Sequence, residues 1–213
     1  MIKLKYALCT LLFLVVNSLM LAQIKANVSH ESYDLESVDI TIGDIIITID
    51  DQGSIAGFNS ISNGEIDYYD DQYFDRDKLG KIKKIGNLTV DYFDRFDTDK
   101  DGKVKNIGNI SIDYWDRFDR EKSGKVKKIG EVSVDYWEKD IMDNSKFGKL
   151  KSIGNISIDY GMKDIMDKSK YKKLIKFGPV NLDYWNDTIM NKNKFGRIKS
   201  IEGNSPEVGV VVR

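Results

Sequence analysis

Three alternating carboxylates, Asp97, Asp99 and Asp101, stand directly before Gly102, the order that opens an EF-hand calcium loop. Oxygen ligands at every second position can wrap a hard cation while the glycine permits a sharp turn. The twelfth position is Gly108 rather than a bidentate glutamate, and sister segments replace the ligands stepwise, as at Asp119-Arg120-Glu121 and Asp143-Asn144-Ser145. Calcium at this loop is therefore one expectation, and a solvated polar turn is the plainer one. Trp115, Trp137 and Trp185 recur behind a tyrosine, as in Tyr114-Trp115, and a row of such rings could stack on sugars. Gly161 interrupts that row, and burial of the tryptophans under long loops is the simpler expectation. Lysines recur at 83, 105, 127, 151 and 199, and aspartates at 67, 91, 113, 135, 159 and 183. Such ladders could bind a charged polymer; as neighbours they would neutralise each other and discourage edge aggregation.

Chemistry of other kinds finds no residues. Cys9 and His30 are the single cysteine and histidine, which removes Cys- or His-clustered metal sites and leaves one triad candidate in a polar stretch. No phosphate-binding glycine loop, GxSxG or HExxH occurs, and the paired carboxylates repeat in every copy rather than marking one acid–base pair. With 33 Lys+Arg against 34 Asp+Glu, the chain lacks the basic excess of a nucleic-acid binder. The expectation is a protein without enzymatic activity or a required cofactor.

The elements that carry these side chains follow from an internal repeat. IGNLTVDYF from Ile85, IGNISIDYW from Ile107, IGEVSVDYW from Ile129, IGNISIDYG from Ile153 and FGPVNLDYW from Phe177 align without gaps. ISNGEIDYY from Ile61 keeps the Asp-Tyr pair, and the spacings from Ile61 to Ile201 are 24, 22, 22, 24, 24 and 24. Ile110, Ile112 and Tyr114 alternate with Ser111, Asp113 and Trp115, the period of a strand. Lys103 to Ile107 forms a shorter strand ahead of it, and Gly108-Asn109 between them predicts a two-residue type II′ hairpin. Pro179 in the equivalent turn fits the negative φ that type II′ requires at its second central residue. This loop pairs Ile107 with Ile110 and Asn106 with Ser111, Lys105 with Ile112, and Lys103 with Tyr114. Alternatively, a bulge at the glycine brings Val104 onto the face of Ile107. The Ile-Met pairs of the 24-residue units, as in EKDIMDNSKFG, are expected to pack over a sheet edge or face.

The fold class predicted is all-β: an antiparallel meander of tandem 22–24-residue hairpins forming one extended, curled sheet of roughly fourteen to sixteen strands. Residues 1–22 read as a secretory signal, with Lys3 and Lys5 before an apolar run and Ala22 at the cleavage point. Residues 23–60 form N-terminal cap strands, 61–200 the hairpin repeats and 201–213 a C-terminal cap strand. After cleavage nothing is expected to span a membrane, and lysines on alternate positions disfavour an outer-membrane barrel.

The unit Ile-Gly-Asn-apolar-x-apolar-Asp-Tyr followed by Gly-Lys-apolar-Lys resembles tandem β-hairpin repeats in secreted proteins of Bacteroidetes-type bacteria. More distantly it is similar to YD-repeat proteins, with the order here Asp-Tyr, as at Asp113-Tyr114. The resemblance covers roughly residues 61–200 and implies export and a β-repeat fold, with no catalytic residues. The functional expectation is an exported, non-catalytic structural or binding module at the cell envelope or outside the cell. A glycan-binding or calcium-dependent adhesin is the alternative, and a polysaccharide or another envelope protein would be the partner.

Overall fold

A computed structural model of the chain describes residues 22–60, 64–190 and 192–213. The segment read as an export signal, apart from Ala22, and the Ile61–Asn63 start of the first repeat lie outside the described residues. Among the described residues seventeen strands occur in two sheets. The first contains β1 (Gln23–Val28), β2 (Leu35–Ile42), β3 (Ile45–Asp50) and β4 (Ile55–Ser60). The hairpin series follows as β5 (Ile66–Tyr68), β6 (Ile82–Ile85), β7 (Leu88–Tyr92), β8 (Val104–Ile107), β9 (Ile110–Tyr114) and β10 (Val126–Ile129). It continues with β11 (Val132–Tyr136), β12 (Leu150–Ile153), β13 (Ile156–Tyr160), β14 (Leu174–Phe177), β15 (Val180–Tyr184) and β16 (Ile198–Glu202). The last strand, β17 (Val208–Val212), returns to the first sheet.

The repeat strands make one open 12-stranded meander running in sequence order from β5 to β16. Within each hairpin the expected register holds, with Ile107 opposite Ile110 and Asn106 opposite Ser111. Gly86, Gly108, Gly130, Gly154 and Gly178 have φ between 54° and 59°. Among the described residues the only non-glycines at positive φ are Tyr33 and Lys172, so the second central residue of each of these turns is negative, as type II′ demands.

Two features differ from the sequence reading. The flanking segments do not cap opposite ends of one sheet: they form a five-stranded sheet in the order β17-β1-β2-β3-β4, with β17 parallel to β1. Its Ile and Val residues alternate, burying Val38, Ile40, Ile47 and Ile49 completely, and an apolar sheet face needs a second layer to cover it. The inner face of the meander supplies that layer: Val126 N–H donates to Gly53 O at 2.8 Å, linking repeat to flank.

The second difference is a bulge in the first strand of every hairpin. Tyr92 pairs with Val104 and Asp91 with Asn106, so Lys105 is the extra residue against β7. Lys83, Lys127, Lys151, Ile175 and Lys199 are the extra residues in the other hairpins. The bulge lies within the strand, not at the glycine, and puts Val104, Val126, Leu150 and Leu174 on the face of the buried isoleucines. Packing decides this. A Val or Leu in the core gains its transfer free energy, which a Lys ammonium at the same place would forfeit.

Candidate functional site

The bulge lysines face outward, onto the aromatic residues that follow each Asp-Tyr. Trp115 has Lys127 Nζ 4.5 Å and Lys122 Nζ 4.9 Å from its ring centroid. Trp137 has Lys146 at 4.7 Å and Lys151 at 5.4 Å, and Trp185 has Lys194 at 5.0 Å and Lys199 at 5.7 Å. Tyr69 and Phe93 are flanked in the same way. The three tryptophans are half-buried, and two reach forward to the next hairpin: Trp115 Nε1 donates to Val134 O at 3.3 Å and Trp137 Nε1 to Ile158 O at 3.2 Å. The unit that has Gly161 in place of the aromatic has Ile175 in place of the bulge lysine. Ring and ammonium are therefore present or absent together, the signature of a cation–π pair. The surface a sugar would stack on is held by these lysines.

The aspartate ladder is neutralised mainly by loop lysines, not by the bulge lysines alone. Lys78 binds Asp91, Lys100 Nζ donates to Asp113 at 2.5 Å, Lys122 to Asp135 at 2.7 Å, Lys146 to Asp159 at 2.5 Å and Lys170 to Asp183 at 2.9 Å. Each pair joins the loop of one unit to the second strand of the next. Lys151 and Lys199 add contacts to Asp135 at 3.6 Å and Asp183 at 3.2 Å. At Asp183 the Lys170 hydrogen bond, with help from Lys199, lowers the carboxyl pKa to about 2. Burial raises Asp91, Asp113 and Asp135, but the lysine hydrogen bonds outweigh it and hold all three below the ordinary carboxylate range. A carboxylate with a depressed folded pKa contributes stability above its unfolded pKa, near 4, and loses it as pH falls through the folded value. The unfolding midpoint is therefore expected to fall between about pH 4 and pH 2, with Asp183→Asn reducing that fall. A midpoint flat across this interval would count against the ladder.

On the inner face the repeat tyrosines lie beneath a second set of lysines. Lys103 Nζ sits 5.0 Å from the Tyr114 ring centroid and donates to Gly124 O at 2.6 Å. Lys125 does the same over Tyr136, at 4.8 Å, with Gly148 O at 2.7 Å. Lys81 reaches Gly102 O at 3.0 Å, Lys149 reaches Lys172 O at 2.5 Å, and Lys173 reaches Gly196 O. Burial pushes Tyr114, Tyr136, Tyr160 and Tyr184 upward and Lys103, Lys125, Lys149 and Lys173 downward, as loss of water disfavours each charged form.

The long loops hold what the sequence reading misplaced. The Ile-Met pairs do not pack over a sheet edge: Ile141, Met142, Ile165, Met166, Ile189 and Met190 are between 82% and 99% exposed. Phe74, Phe96 and Phe118 occupy the corresponding tips, also above 80% exposed. An aspartate at each loop entrance causes this, because its carboxylate accepts the backbone N–H two residues on and turns the chain outward. Asp94 accepts from Phe96 N–H at 2.9 Å, Asp116 from Phe118 at 2.8 Å, Asp140 from Met142 at 2.8 Å and Asp164 from Met166 at 2.8 Å. Neighbouring loops are tied together: Lys139 N–H donates to Glu121 at 2.8 Å and Lys163 N–H to Asp143 at 3.0 Å. The Asp-x-Phe and Asp-Ile-Met spacing carried this signal in the sequence. A loop whose backbone is satisfied locally can carry its Ile-Met pair outward instead of over the sheet.

Asp97, Asp99 and Asp101 lie in one of these loops without converging. Asp97 and Asp101 are exposed, while Asp99 faces Arg117 Nε at 3.8 Å. Among the described residues no three His, Cys, Asp or Glu side chains gather where they could hold a metal ion. No helix among the described residues is long and apolar enough to cross a membrane. No family model matches the chain, and neither a curated protein nor a solved structure matches it.

Proposed function

We propose that this is an exported, non-catalytic repeat protein that binds a protein surface at the cell envelope through its loop edge. The observation that carries the reading is the row of exposed apolar tips, one per hairpin, from Phe74 to Met190. Hairpins in a sheet recur every ~9–10 Å, so the tips form a line roughly 50 Å long. Isolated exposed hydrophobes are ordinary, but a contiguous, periodic line marks a contact surface. Carboxylates flank the tips, as at Asp94 and Asp97, Asp140 and Asp143, and Asp164 and Asp167. Anchors ringed by charge suit a protein interface with an apolar centre and polar rim, and burying those carboxylates in a bilayer would be costly.

The test replaces Ile141, Met142, Ile165, Met166, Ile189 and Met190 by Ser in the full chain and fractionates the producing cells. Exposed substitutions change stability by about 0.5 kcal/mol or less each, so the fold should persist. The expected result is wild-type chain in the envelope fraction and the variant released into the soluble exported fraction. Retention of the variant at the wild-type level would refute the loop edge as the contact, and a wild-type chain found in the cytoplasm would refute export.

A further inference from the structure

The two ends of the 12-stranded sheet carry opposite halves of the contacts that join each hairpin to the next. We infer that copies of this chain stack head to tail, β16 of one against β5 of another, continuing the meander between molecules.

The loop lysine of each unit pairs with the strand aspartate of the following unit, from Lys78–Asp91 through Lys170–Asp183. Lys194 is the next lysine in that series, and among the described residues no carboxylate pairs with it. Asp67 is the aspartate that precedes the series, and among the described residues no lysine pairs with it. The inner lysines repeat the pattern: each donates to a loop carbonyl one unit onward, ending with Lys173 on Gly196. Arg197 stands one unit beyond Lys173, and Gly80 one unit before the first acceptor, Gly102. The aromatic ladder does so a third time. Tyr69 Oη donates to Val90 O at 2.9 Å, and Trp115 and Trp137 donate to the corresponding carbonyls of later strands. Beyond Trp185 the 12-stranded sheet holds only β16 and no second strand of a further hairpin, and Ile66 is the acceptor position with no unit behind it. Among the described residues, donors are unfilled at one end and acceptors at the other, three times over.

The strand edges agree. Among the described residues β5 is hydrogen-bonded only to β6 and β16 only to β15, whereas every strand between them has two neighbours. β5 is the second strand of a hairpin unit and β16 the first strand of one, so together they restore the pairing of an interior hairpin. Residues that interior units bury are uncovered at β5: Ile66 is 47% and Tyr68 49% exposed, against 2% for Ile112 and 4% for Tyr114. Neither open strand contains Pro, a common device for blunting a sheet edge. A junction between unlike surfaces is heterologous, and it propagates into a filament or a large ring rather than closing as a two-fold dimer. This inference is independent of what the loop edge binds.

Sedimentation velocity of the full chain over a concentration series tests it, with circular dichroism as the fold control. The expected result is species larger than one chain that grow with concentration. Asp67→Lys and Lys194→Glu, each alone, should weaken association roughly tenfold or more, because each places like charges together at the junction. The double variant Asp67→Lys/Lys194→Glu re-creates an opposite pair and should restore assembly. A wild type that stays monomeric up to its solubility limit overturns the inference. So does association that survives both single reversals, or a double variant that remains dissociated.

Discussion

Tyr136→Ala should lower stability by about 3–5 kcal/mol, the range for removing a large buried aromatic side chain. For a chain of this size that is on the order of 10 °C in the unfolding midpoint. Tyr136 is fully buried at the meeting of the two sheets, with Lys125 over its ring and its hydroxyl 3.5 Å from Gly53 O. Truncation would leave a void between layers that the flanking sheet cannot collapse into, since Val126 N–H pins Gly53 in place at 2.8 Å. Tyr68 occupies the same repeat position in the first hairpin but is half exposed, so Tyr68→Ala should cost no more than about 1 kcal/mol. Thermal unfolding of the two variants side by side is the measurement. Equal losses would mean that the stability of this protein does not depend on the contact between the sheets.

Gly53→Ala should be nearly as damaging, by about 2–5 kcal/mol, for a reason that sits in the backbone as well as in the core. Gly53 has φ +86°, and a Cβ there would stand 2.6–2.7 Å from the Tyr136 ring and hydroxyl. The left-handed backbone costs roughly 1–2 kcal/mol for an L side chain, and the overlap adds about 1–3 kcal/mol of overpacking. Gly80 separates the two effects. Its φ is +75°, but a Cβ would meet no atom within 4 Å, so Gly80→Ala should show the backbone cost alone. Denaturant unfolding of both variants should place Gly53→Ala clearly below Gly80→Ala. If the two coincide, the ring contact contributes nothing.

Much of the fold was legible because its information is local. Strand alternation, the type II′ turn at Gly108-Asn109 and the unit length of 22 or 24 residues are each encoded within one or two turns of chain. The aspartate and lysine ladders were legible as sets, because a regular period places equivalent residues on one face. Their pairing was not. The bulge against β7 sets Lys105 over Phe93, at 5.4 Å from the ring centroid, and Asp113 is bound by Lys100 from a loop. The exposure of the Ile-Met tips is not evident from their hydrophobicity, because it follows from the Asp140 and Asp164 turns that direct the backbone outward.

By itself, then, the sequence determines an all-β meander of hairpins, its period, its turn type and the absence of clustered Cys or His chemistry. Only the tertiary structure decides that residues 22–60 and the C-terminal strand form a second layer, because that contact joins partners as far apart as Gly53 and Tyr136, 83 residues along the chain. The bulge follows from the same cause. A strand rich in both Val and Lys has two registers of similar local energy, and the apolar surface of the second sheet selects the one that buries Val126 and sends Lys127 outward.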